Sequence, residues 1–413
     1  MPQRVSQKGA AVNTPQELPH FLVFSLAYRP VASGAEVALE ETISRISDIR
    51  FTIITHLFEP NAPREETVGN ARVVRVGFGN AYLSKILFVP LAALKARALA
   101  RRERVDGMWA LMTYMLWPTV LAYWLGVRVP WVVTLQDGDP YEKVFARWFV
   151  RPVAWILDYG FRRACVVHAI SRALAEWPRK RGSQVPVVVI PNAVDEEQWR
   201  HEPTEKDARA LRRTLGVAED DFVLFNAARL VHQKGHDTVI RALTLLPEKV
   251  KYVIAGDGAD RGKLEALAKE LGVAHRVIFL GALPREEVPR YRNPYFAQVF
   301  IGLSRSEGLG NSFLSAMAGR VPVVATQVGG LADFVFDEKR DPNKTPTAWV
   351  VDPDDPEGAA AAVRAVMEQP EKARAIAENA RKFVEEHFRW DAVAKRVRAQ
   401  VLEPVVVGAC AQQ

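Results

Sequence analysis

The sequence is poor in cysteine: its 413 residues include only Cys165 and Cys410, which lie far apart in the chain. Structural zinc sites and disulfide-rich scaffolds need several cysteines at short, regular spacings. Because neither cysteine has a neighbour of that kind, we expect neither a zinc site nor a disulfide framework. Two isolated cysteines are typical of a protein from a reducing compartment, which is the expected setting.

Long hydrophobic runs are missing as well. No apolar run reaches the roughly 18–20 residues that a helix needs to cross a bilayer, so we expect no transmembrane segment. The stretch from Met1 to Pro19 is polar and contains proline and glutamine. It lacks the apolar core of a signal peptide, and we expect residues 1–19 to form a disordered tail.

Size and charge limit the classes of protein that remain. A chain of 413 residues favours two domains, each able to bury its own core. About half of the residues are apolar and a quarter are charged, as in ordinary globular proteins. The formal net charge of +7 is compatible with nucleic acid, an anionic membrane or an anionic substrate as partner. The position of the positive charges therefore decides which partner is expected.

Short apolar runs alternate with stretches of helical periodicity along most of the chain. In the first half, strands are predicted at Phe21–Ala27, Phe51–Phe58, Val73–Val76 and Trp131–Leu135. In the second half, the predicted strands are Phe222–Ala228, Tyr252–Ala255 and Val277–Leu280, and the helices between them are Thr238–Leu246 and Lys263–Leu271. This alternation predicts an α/β protein whose parallel sheets carry helices on both faces.

The most informative stretch is Ser304–Gly330. An apolar run ends in a loop that contains Glu307, and the turn Gly308–Gly310 leads into a helix that begins at Asn311 or Ser312. Unpaired N–H groups and a partial positive charge make a helix N-terminus suited to anions. A carboxylate that can accept hydrogen bonds from hydroxyl groups therefore precedes donors that suit phosphate. A sugar diphosphate needs this arrangement.

A pair of cations follows the first predicted strand of the second half. Arg229 and Lys234 lie five residues apart in the loop after Phe222–Ala228. Transfer of a sugar from a nucleotide leaves a diphosphate with growing negative charge, and fixed cations in a dry cleft stabilise that charge. Arginine supplies a planar fork of donors and lysine supplies a point charge. Together with Glu307, the pair favours a phosphate site over a solvated loop.

These residues resemble the C-terminal half of retaining glycosyltransferases of the GT-B type. More narrowly, they are similar to the group 1 or family 4 enzymes, which include sucrose synthase-like enzymes and mannosyltransferases. That family has two glutamates separated by seven residues; here Glu307 is the first, and Ser315 occupies the second position. The resemblance implies a GT-B fold, in which two Rossmann-like domains face a central cleft. It is close in the second half of the chain and loose in the first.

The resemblance also implies how the chain is divided. After the tail of residues 1–19, residues 20–198 would form an N-terminal Rossmann-like domain for the acceptor. Residues 199–388 would form the C-terminal Rossmann-like domain that binds the nucleotide sugar. Residues 389–413 would form a C-terminal helix that crosses back to the N-terminal domain, and the linker between the domains is expected at about Trp199–Asp207.

The binding residues of the family can be carried over to matching positions. By resemblance, Arg229 and Lys234 would bind the donor diphosphate and Glu307 would hold hydroxyl groups of the donor sugar, so these three are the expected catalytic residues. The residues expected to contact substrate are Gly34, Gln136, Leu283, Gly308, Leu309, Gly310, Asn311, Ser312 and Ser315. Leu283 would lie at the nucleobase. The resemblance implies no cofactor and no metal, because the nucleotide sugar itself is the substrate.

Three positions depart from the family pattern. Ser33 replaces the first glycine of the loop that ends in Gly34, a loop that relatives place beneath the diphosphate. Gln136 stands where many relatives have a histidine facing the reacting sugar, and glutamine can donate a hydrogen bond but cannot shuttle a proton. Ser315 replaces the glutamate that grips both ribose hydroxyls. We therefore expect weaker or water-mediated binding of the ribose.

Two short motifs keep other interpretations open. The Asp-Gly-Asp sequence at Asp137–Asp139 resembles the metal-binding pair of the other glycosyltransferase architecture, since two carboxylates at that spacing can share a hard cation. The Gly-Asp-Gly sequence at Gly256–Gly258 resembles a dinucleotide fingerprint, but the third glycine, Gly262, comes one residue late. A metal site and a dinucleotide-dependent oxidoreductase are therefore minority interpretations. A catalytically weak sugar-nucleotide binder is a further alternative, because of Gln136 and Ser315.

Two stretches of the first half combine apolar residues with cations. Tyr82–Arg104 has six lysines and arginines against one acidic residue, and Tyr141–Arg163 has five of them among tryptophans and phenylalanines. Such stretches suit an anionic membrane surface. The alternative for Tyr82–Arg104 is a domain helix with a solvated basic end, and Tyr141–Arg163 taken alone favours a buried helix of the N-terminal domain; two such stretches in one half favour the membrane. The expected partners are a nucleotide sugar, a glycan or lipid-linked acceptor and an anionic membrane surface, with no nucleic acid.

The residues and the resemblance together predict a retaining hexosyltransferase. The resemblance implies that the acceptor attacks on the face from which the diphosphate leaves, and that the leaving phosphate helps to deprotonate it. The products would belong to cell-surface glycans, polysaccharides or glycolipids. The expected location is the cytoplasm, peripherally on the inner face of the cell membrane.

Overall fold

The structure, a computed structural model, describes residues 18–31, 34–79, 82–194 and 204–410. Within these ranges the chain forms two sheets of mostly parallel strands, which confirms the predicted α/β class. Residues 1–17 of the expected tail, Ser33 and residues 199–203 of the expected linker lie outside the described residues. No helix in the described part of the chain has both the length and the apolar content that crossing a bilayer requires.

The first sheet has eight strands in the spatial order β3-β4-β2-β1-β5-β6-β7-β8. In chain order they are β1 (His20–Phe24), β2 (Arg50–His56), β3 (Glu65–Val68), β4 (Ala71–Val76), β5 (Gly107–Leu111), β6 (Trp131–Leu135), β7 (Val166–Ala169) and β8 (Val187–Val189). All neighbours are parallel except β3 and β4. Sequence analysis missed the edge strand β3, because its sequence EETV is polar and it has no buried residue.

The described residues of the first half form six α-helices before Val194. They are α1 (Gly34–Ile43), α2 (Tyr82–Ala100), α3 (Leu116–Trp124), α4 (Tyr141–Phe145), α5 (Ala154–Arg162) and α6 (Arg172–Lys180). Helices α2, α3 and α5 lie side by side, with α3 between the other two. The basic stretch that begins at Tyr82 is therefore one helix of this row, and it continues through Pro90.

The second sheet is entirely parallel, in the order β11-β10-β9-β12-β13-β14. Its strands are β9 (Phe222–Ala227), β10 (Val250–Ala255), β11 (Val277–Gly281), β12 (Val299–Gly302), β13 (Val323–Thr326) and β14 (Trp349–Val351). Its helices are α7 (Glu205–Thr214), α8 (His236–Leu243), α9 (Arg261–Glu270), α10 (Asn311–Ala318), α11 (Pro356–Glu368) and α12 (Pro370–His387). Helix α7 begins inside the stretch expected as a linker, because Thr204 and Asp207 form a capping box there.

Burial explains why both sheets form from short apolar runs. Strands β1, β6 and β12 are buried along their whole length, as expected when helices cover both faces of a parallel sheet. Trp109 and Trp131 in the first half, and Phe225 and Phe300 in the second, are among the largest fully buried side chains. The loops at the carboxyl ends of the strands lie outside these cores, and they carry the residues of the candidate site.

The end of the chain returns to the first half. Helix α13 (Trp390–Val397) packs against α1, and a π-helical turn at Arg398–Leu402 joins it to α14 (Glu403–Val406). Val194, the last described residue of the first half, lies beside Phe388, which precedes this return. The Val194 N–H donates a hydrogen bond to the Phe388 carbonyl oxygen over 3.1 Å.

A disulfide joins Cys165 and Cys410, which corrects the expectation that the two cysteines form no disulfide framework. Cys165 directly precedes β7, and the return of the chain through α13 and α14 brings Cys410 beside it. Spacing along the sequence reports only local cysteine pairs, whereas this pair is separated by 245 residues. The expectation of a reducing compartment loses the support that it drew from the cysteines.

Candidate active site

Loops from both halves meet at the carboxyl ends of the parallel strands, where open α/β sheets bind their ligands. The second half contributes the loops after β9 and β12, which carry Lys234 and Glu307. The first half contributes Gly34 at the start of α1 and Gln136 directly after β6. The structure therefore brings predicted residues that lie far apart in the sequence to one cleft.

Lys234 and Glu307 form an ion pair in this cleft. The Lys234 ammonium donates to Glu307 Oε2 over 2.6 Å, and the Ser304 hydroxyl donates to the same oxygen over 2.9 Å. The side chains of Lys234 and Glu307 are only 16% and 10% exposed, so water and salt screen the pair weakly. Both hydrogen bonds end on Oε2, which leaves Oε1 able to accept hydrogen bonds from sugar hydroxyls.

Backbone contacts set the distance between these two charges. Gly235 has a φ of +64°, and a Cβ there would come within 1.9 Å of the Leu303 carbonyl oxygen. Only glycine allows this approach and this φ without strain. The Arg305 N–H also donates to the Gln233 carbonyl oxygen over 2.8 Å. The loop that carries the lysine is thus fixed against the loop that carries the glutamate.

The first turn of α10 supplies donors for an anion. The buried residues Gly308, Leu309 and Gly310 lead into it, and Gly310 has no side chain to cap the first N–H groups. Ser312 is half-buried, and the buried Asn311 Oδ1 has no hydrogen-bond partner within the described ranges. Uncapped N–H groups and the helix dipole suit phosphate, and a buried amide oxygen requires a donor. A ligand with phosphate and hydroxyl groups would satisfy both.

Ser315 and Leu283 occupy the positions expected at the nucleoside. Ser315 is half-buried one turn into α10, and its hydroxyl donates to the Asn311 carbonyl oxygen over 3.0 Å. The side chain therefore turns back on its own helix, as serine often does inside helices. Leu283 is half-buried in the loop after β11. Ser315 has neither the length nor the charge to grip two ribose hydroxyls.

The first half approaches α10 closely. Gly34, the first residue of α1, faces Asn311, whose Nδ2 lies 3.5 Å from the position of a Cβ on Gly34. A Cβ on Gly308 would come within 2.6 Å of the Asp137 carbonyl oxygen. A larger residue at Gly308 would therefore push the two halves apart. These contacts put the start of α1 and the end of β6 opposite the predicted phosphate donors.

Gln136 is oriented by a residue that sequence analysis missed. Its Oε1 accepts a hydrogen bond from Asn192 Nδ2 over 3.0 Å, which leaves the NH₂ group of the Gln136 amide as a donor. Asn192 lies shortly after β8, at the same edge of the sheet. The sequence showed Asn192 as a polar residue beside Pro191 at the end of a strand. It did not show that Asn192 bonds to Gln136, because the two residues are 56 positions apart.

The two carboxylates of the Asp137–Asp139 motif make separate contacts. Asp137 Oδ2 accepts hydrogen bonds from the N–H and the hydroxyl of Thr113 over 3.3 and 2.9 Å, and burial raises the pKa of Asp137 to about 6. Asp139 accepts hydrogen bonds from three side chains, which are Lys143, Arg147 and Gln233. Nowhere in the described part of the chain do three or more His, Cys, Asp or Glu residues group as a metal site would need.

Arg229 stands apart from the ion pair. Its side chain is exposed, and it makes no hydrogen bond or ion pair with any other described residue. Its carbonyl oxygen accepts a hydrogen bond from His236 Nε2 over 3.2 Å, and His236 Nδ1 lies 2.8 Å from the Tyr252 hydroxyl. Burial lowers the pKa of His236 to about 4, so the ring is neutral. Sequence analysis missed this positioning role, because the contact to Tyr252 crosses from α8 to β10.

The glycines of the Gly256–Gly258 motif pack against the loop that carries Arg229. A Cβ on Gly256 would come within 2.0 Å of the Ala228 carbonyl oxygen, and one on Gly258 within 2.3 Å of the Leu230 carbonyl oxygen. Close packing of two loops thus accounts for the motif, and it needs no bound dinucleotide.

Two family models match this chain, one in each half. Residues 32–198 match the model described as Glycosyltransferase Family 4. Residues 207–383 match the model described as Glycosyl transferases group 1. The two matched regions together span most of the chain.

Two curated relatives are about one-third identical to the chain. An uncharacterized glycosyltransferase of Methanocaldococcus jannaschii is 32% identical over 237 residues, which are 56% of this chain and 58% of the relative. The GDP-mannose-dependent alpha-(1-6)-phosphatidylinositol monomannoside mannosyltransferase of Mycolicibacterium smegmatis is 34% identical over 211 residues, 49% of this chain and 52% of the relative. The chain therefore spans little more than half the length of these relatives.

A solved structure shares the fold of the whole chain. Sucrose-phosphate synthase from Thermosynechococcus elongatus superposes with a TM-score of 0.80 at 20% identity, over 94% of this chain and 100% of that one. The likeness shows that both have two Rossmann-like halves facing a cleft. The GT-B fold expected from the sequence is confirmed.

Proposed function

We propose that this chain, which belongs to the group 1 glycosyltransferases of the GT-B type, transfers a hexose from a nucleotide sugar to an acceptor with retention of anomeric configuration. The observation that carries this proposal is the contact between Lys234 and Glu307 beside the first turn of α10. There a carboxylate able to bind sugar hydroxyls meets a cation and N–H groups able to bind phosphate. A sugar diphosphate satisfies both kinds of group at once.

In the proposed reaction, the bond between the anomeric carbon and the diphosphate oxygen breaks, and the acceptor oxygen bonds to that carbon on the same face. The acceptor proton passes to the leaving phosphate, so the reaction differs from the two-carboxylate chemistry of glycoside hydrolysis. Lys234 and the first N–H groups of α10 would stabilise the growing charge on the diphosphate. Arg229 would bind the diphosphate from its exposed position.

The remaining predicted residues would orient the donor. Glu307 Oε1 would accept hydrogen bonds from the donor sugar, and Asn311 Oδ1 would gain the donor that it lacks. Gly34 would let the diphosphate lie close to the start of α1. The NH₂ group of Gln136, held by Asn192, would donate to the sugar where relatives have a histidine. We propose that no metal is required, because Lys234 and the α10 dipole already supply positive potential at the diphosphate.

The test of this function begins with the full chain and a panel of nucleotide sugars. A donor that binds the folded protein raises its melting temperature by mass action. The donor so identified is then incubated with soluble glycoside acceptors, and the anomeric configuration of the product is read by NMR. We expect a retained product and an unchanged rate in the presence of EDTA. An inverted product, or the absence of any stabilising nucleotide sugar, contradicts the proposal.

Ser315→Glu is expected to tighten donor binding by about tenfold or more. The added carboxylate can accept two hydrogen bonds from the ribose, and hydrogen bonds to a charged group contribute about 1.5–3 kcal/mol. Isothermal titration with the identified donor measures the change. Ser315→Ala is the matched control, since it removes only the hydroxyl that bonds to the Asn311 carbonyl oxygen. Equal affinity of wild type and Ser315→Glu would exclude a ribose contact at this position.

A catalytically weak sugar-nucleotide binder is the alternative, and Gln136 and Ser315 are the residues that favour it. Such a protein would be stabilised by the same donors but would turn them over slowly. A donor hydrolysis and transfer assay separates the two functions. Donor binding without product formation favours the binder, and product formation at an ordinary enzymatic rate favours the transferase.

We further propose that the acceptor is a glycan or lipid-linked molecule presented at an anionic membrane, on the cytoplasmic face of the cell membrane. The M. smegmatis relative is named for a phosphatidylinositol mannoside acceptor, which supports a lipid-linked class. The reaction would contribute to cell-surface glycans, polysaccharides or glycolipids. Disulfides persist mainly in oxidising compartments and in the cytosol of hyperthermophiles. The redox state of Cys165 and Cys410 in protein isolated from its own cells therefore tests the proposed location.

A further inference from the structure

The outer surface of the first half is formed by α2, α3 and α5, which we call the three-helix face. Several large apolar side chains of these helices are exposed to solvent, namely Leu83, Ile86 and Leu94 on α2, Trp124 on α3 and Trp155 on α5. Trp124 and Trp155 stack with their ring centres 5.6 Å apart, so the apolar surface continues from α3 to α5. Trp148, shortly before α5, is 81% exposed. Contiguous exposed apolar surface of this kind marks an interaction site.

The three-helix face carries charge of almost one sign. The charged residues of its helices are Lys85, Lys95, Arg97, Asp158 and Arg162. The only acidic one, Asp158, is bound through both carboxylate oxygens by Arg181. Lys95 is paired with Glu65 of β3 over 2.8 Å. Within the described residues, Lys85, Arg97 and Arg162 have no acidic partner.

A small basic cavity lies at the end of α2. It has a volume of about 180 Å³, and its lining includes Arg97, Arg101 and the backbone turn Leu125–Val127 that follows α3. Neither guanidinium is paired with an acidic side chain in the described part of the chain. Two unpaired arginines beside Trp124 offer a phosphate group a place at the edge of the apolar surface.

We infer that the three-helix face docks on an anionic lipid bilayer; this inference rests on the proposed function, in which the acceptor is presented at a membrane. Tryptophans favour the boundary between water and lipid, and lysines and arginines near it are attracted by anionic headgroups. A second copy of this chain fits the face poorly. A two-fold symmetric contact would place the same cations against each other.

One end of the three-helix face lies near the entrance of the cleft, so a bilayer bound to this face would affect how the acceptor reaches the cleft. Helix α2 follows β4, whose carboxyl end lies at the same edge of the sheet as Gly34 and Gln136. Phe78, Leu83 and Ile86 are exposed near this edge. A bilayer on the three-helix face would thus meet the entrance of the cleft. A hydroxyl group on a membrane-anchored acceptor could enter the cleft without leaving the lipid.

The inference is tested by co-sedimentation of the full-length protein with vesicles of phosphatidylcholine alone or mixed with phosphatidylglycerol. We expect binding to the anionic vesicles that weakens as salt is raised, and weak binding to the neutral ones. Arg97→Gln and Arg101→Gln are each expected to lower the partition coefficient about fivefold. Trp148→Ala is expected to lower it by about tenfold or more, because a large exposed side chain no longer enters the interface.

Control variants in the second half test whether the losses of vesicle binding are specific to the three-helix face. Tyr295→Ala removes an exposed aromatic side chain from the second half, and Arg213→Gln removes an exposed cation there; both are expected to leave binding unchanged. Equal binding to neutral and anionic vesicles overturns the inference. So does a loss in Tyr295→Ala as large as that in Trp148→Ala. Dimerisation in sedimentation velocity that Trp148→Ala abolishes would assign the face to a second copy instead.

Donor turnover with a soluble acceptor is measured on the same samples. Wild-type turnover in Trp148→Ala, together with lost vesicle binding, supports the inference and shows that the variant is folded. Absent vesicle binding in a wild-type protein that turns over donor overturns the inference alone. Absent turnover in a protein that binds anionic vesicles contradicts the proposed function alone.

Discussion

Lys234→Ala and Glu307→Ala are each expected to lower kcat about 10²–10³-fold. Lys234 would stabilise the charge that develops on the diphosphate, and Glu307 would hold the donor sugar in position for the reaction. The side chains of Lys234 and Glu307 are mostly buried and their charges are 2.6 Å apart. Removing one leaves the other in the cleft without its counter-ion. Steady-state kinetics with the identified donor and a soluble acceptor measure the loss.

The controls separate loss of catalysis from loss of structure. Lys372→Ala removes an exposed lysine from α12 that pairs with the exposed Glu338, and kcat should stay within about twofold because such surface pairs contribute little. Glu307→Gln keeps the size of the side chain and removes the charge. If an alanine variant turns over donor near the wild-type rate with its melting temperature preserved, the residue substituted in that variant has no role in the mechanism.

Cys410→Ser is expected to lower the free energy of unfolding of the first half by about 2–4 kcal/mol, since the disulfide restricts the unfolded chain. It ties the C-terminal return to the strand β7, which Cys165 directly precedes. Urea unfolding followed by tryptophan fluorescence suits this measurement. Seven of the ten tryptophans precede residue 195, so the signal reports chiefly the first half.

A second prediction about the disulfide uses the same urea unfolding measurements. Cys165→Ser, Cys410→Ser and the double variant should unfold at the same urea concentration, because each removes the same bond. Reductant should move the wild type to that midpoint and leave the variants where they are. Additive losses in the double variant, or a wild type indifferent to reductant, would mean that the two sulfurs are not bonded in solution.

Strands and sheets were predictable where a strand is buried on both faces. The ends of the runs at Phe21–Ala27, Trp131–Leu135 and Phe222–Ala228 lie within three residues of those of β1, β6 and β9, since helices covering both faces of a parallel sheet require continuous apolar sequence. Strand β3 was not predicted because it is an edge strand that buries no side chain, so its sequence is not a continuous apolar run. Helix α7 was overlooked because its signal is a capping box in a polar stretch.

Residues of the candidate site could be predicted from the sequence when their own charge suits part of a sugar diphosphate. Residues that only orient another side chain could not be predicted. Lys234 and Glu307 were expected in one site, and they are in contact. The side chains that orient the site came only from the structure, namely Ser304, Asn192 and His236. Their residue types are common, and their meaning depends on partners from other strands and loops. The disulfide was unpredictable on the same ground, because the fold alone brings its sulfurs together.

The hydrogen bond between Val194 and Phe388 also bears on how the two halves can move relative to each other. Val194 is the last described residue of the first half, and Phe388 directly precedes the stretch that returns to it, so a rotation of one half relative to the other about this contact would leave the contact intact. Lys234, Glu307 and α10 all belong to the second half and would keep their geometry during this rotation. Only Gly34 and Gln136 would withdraw. Such a rotation would separate Gly34 from Asn311 and leave the Lys234–Glu307 ion pair as it is.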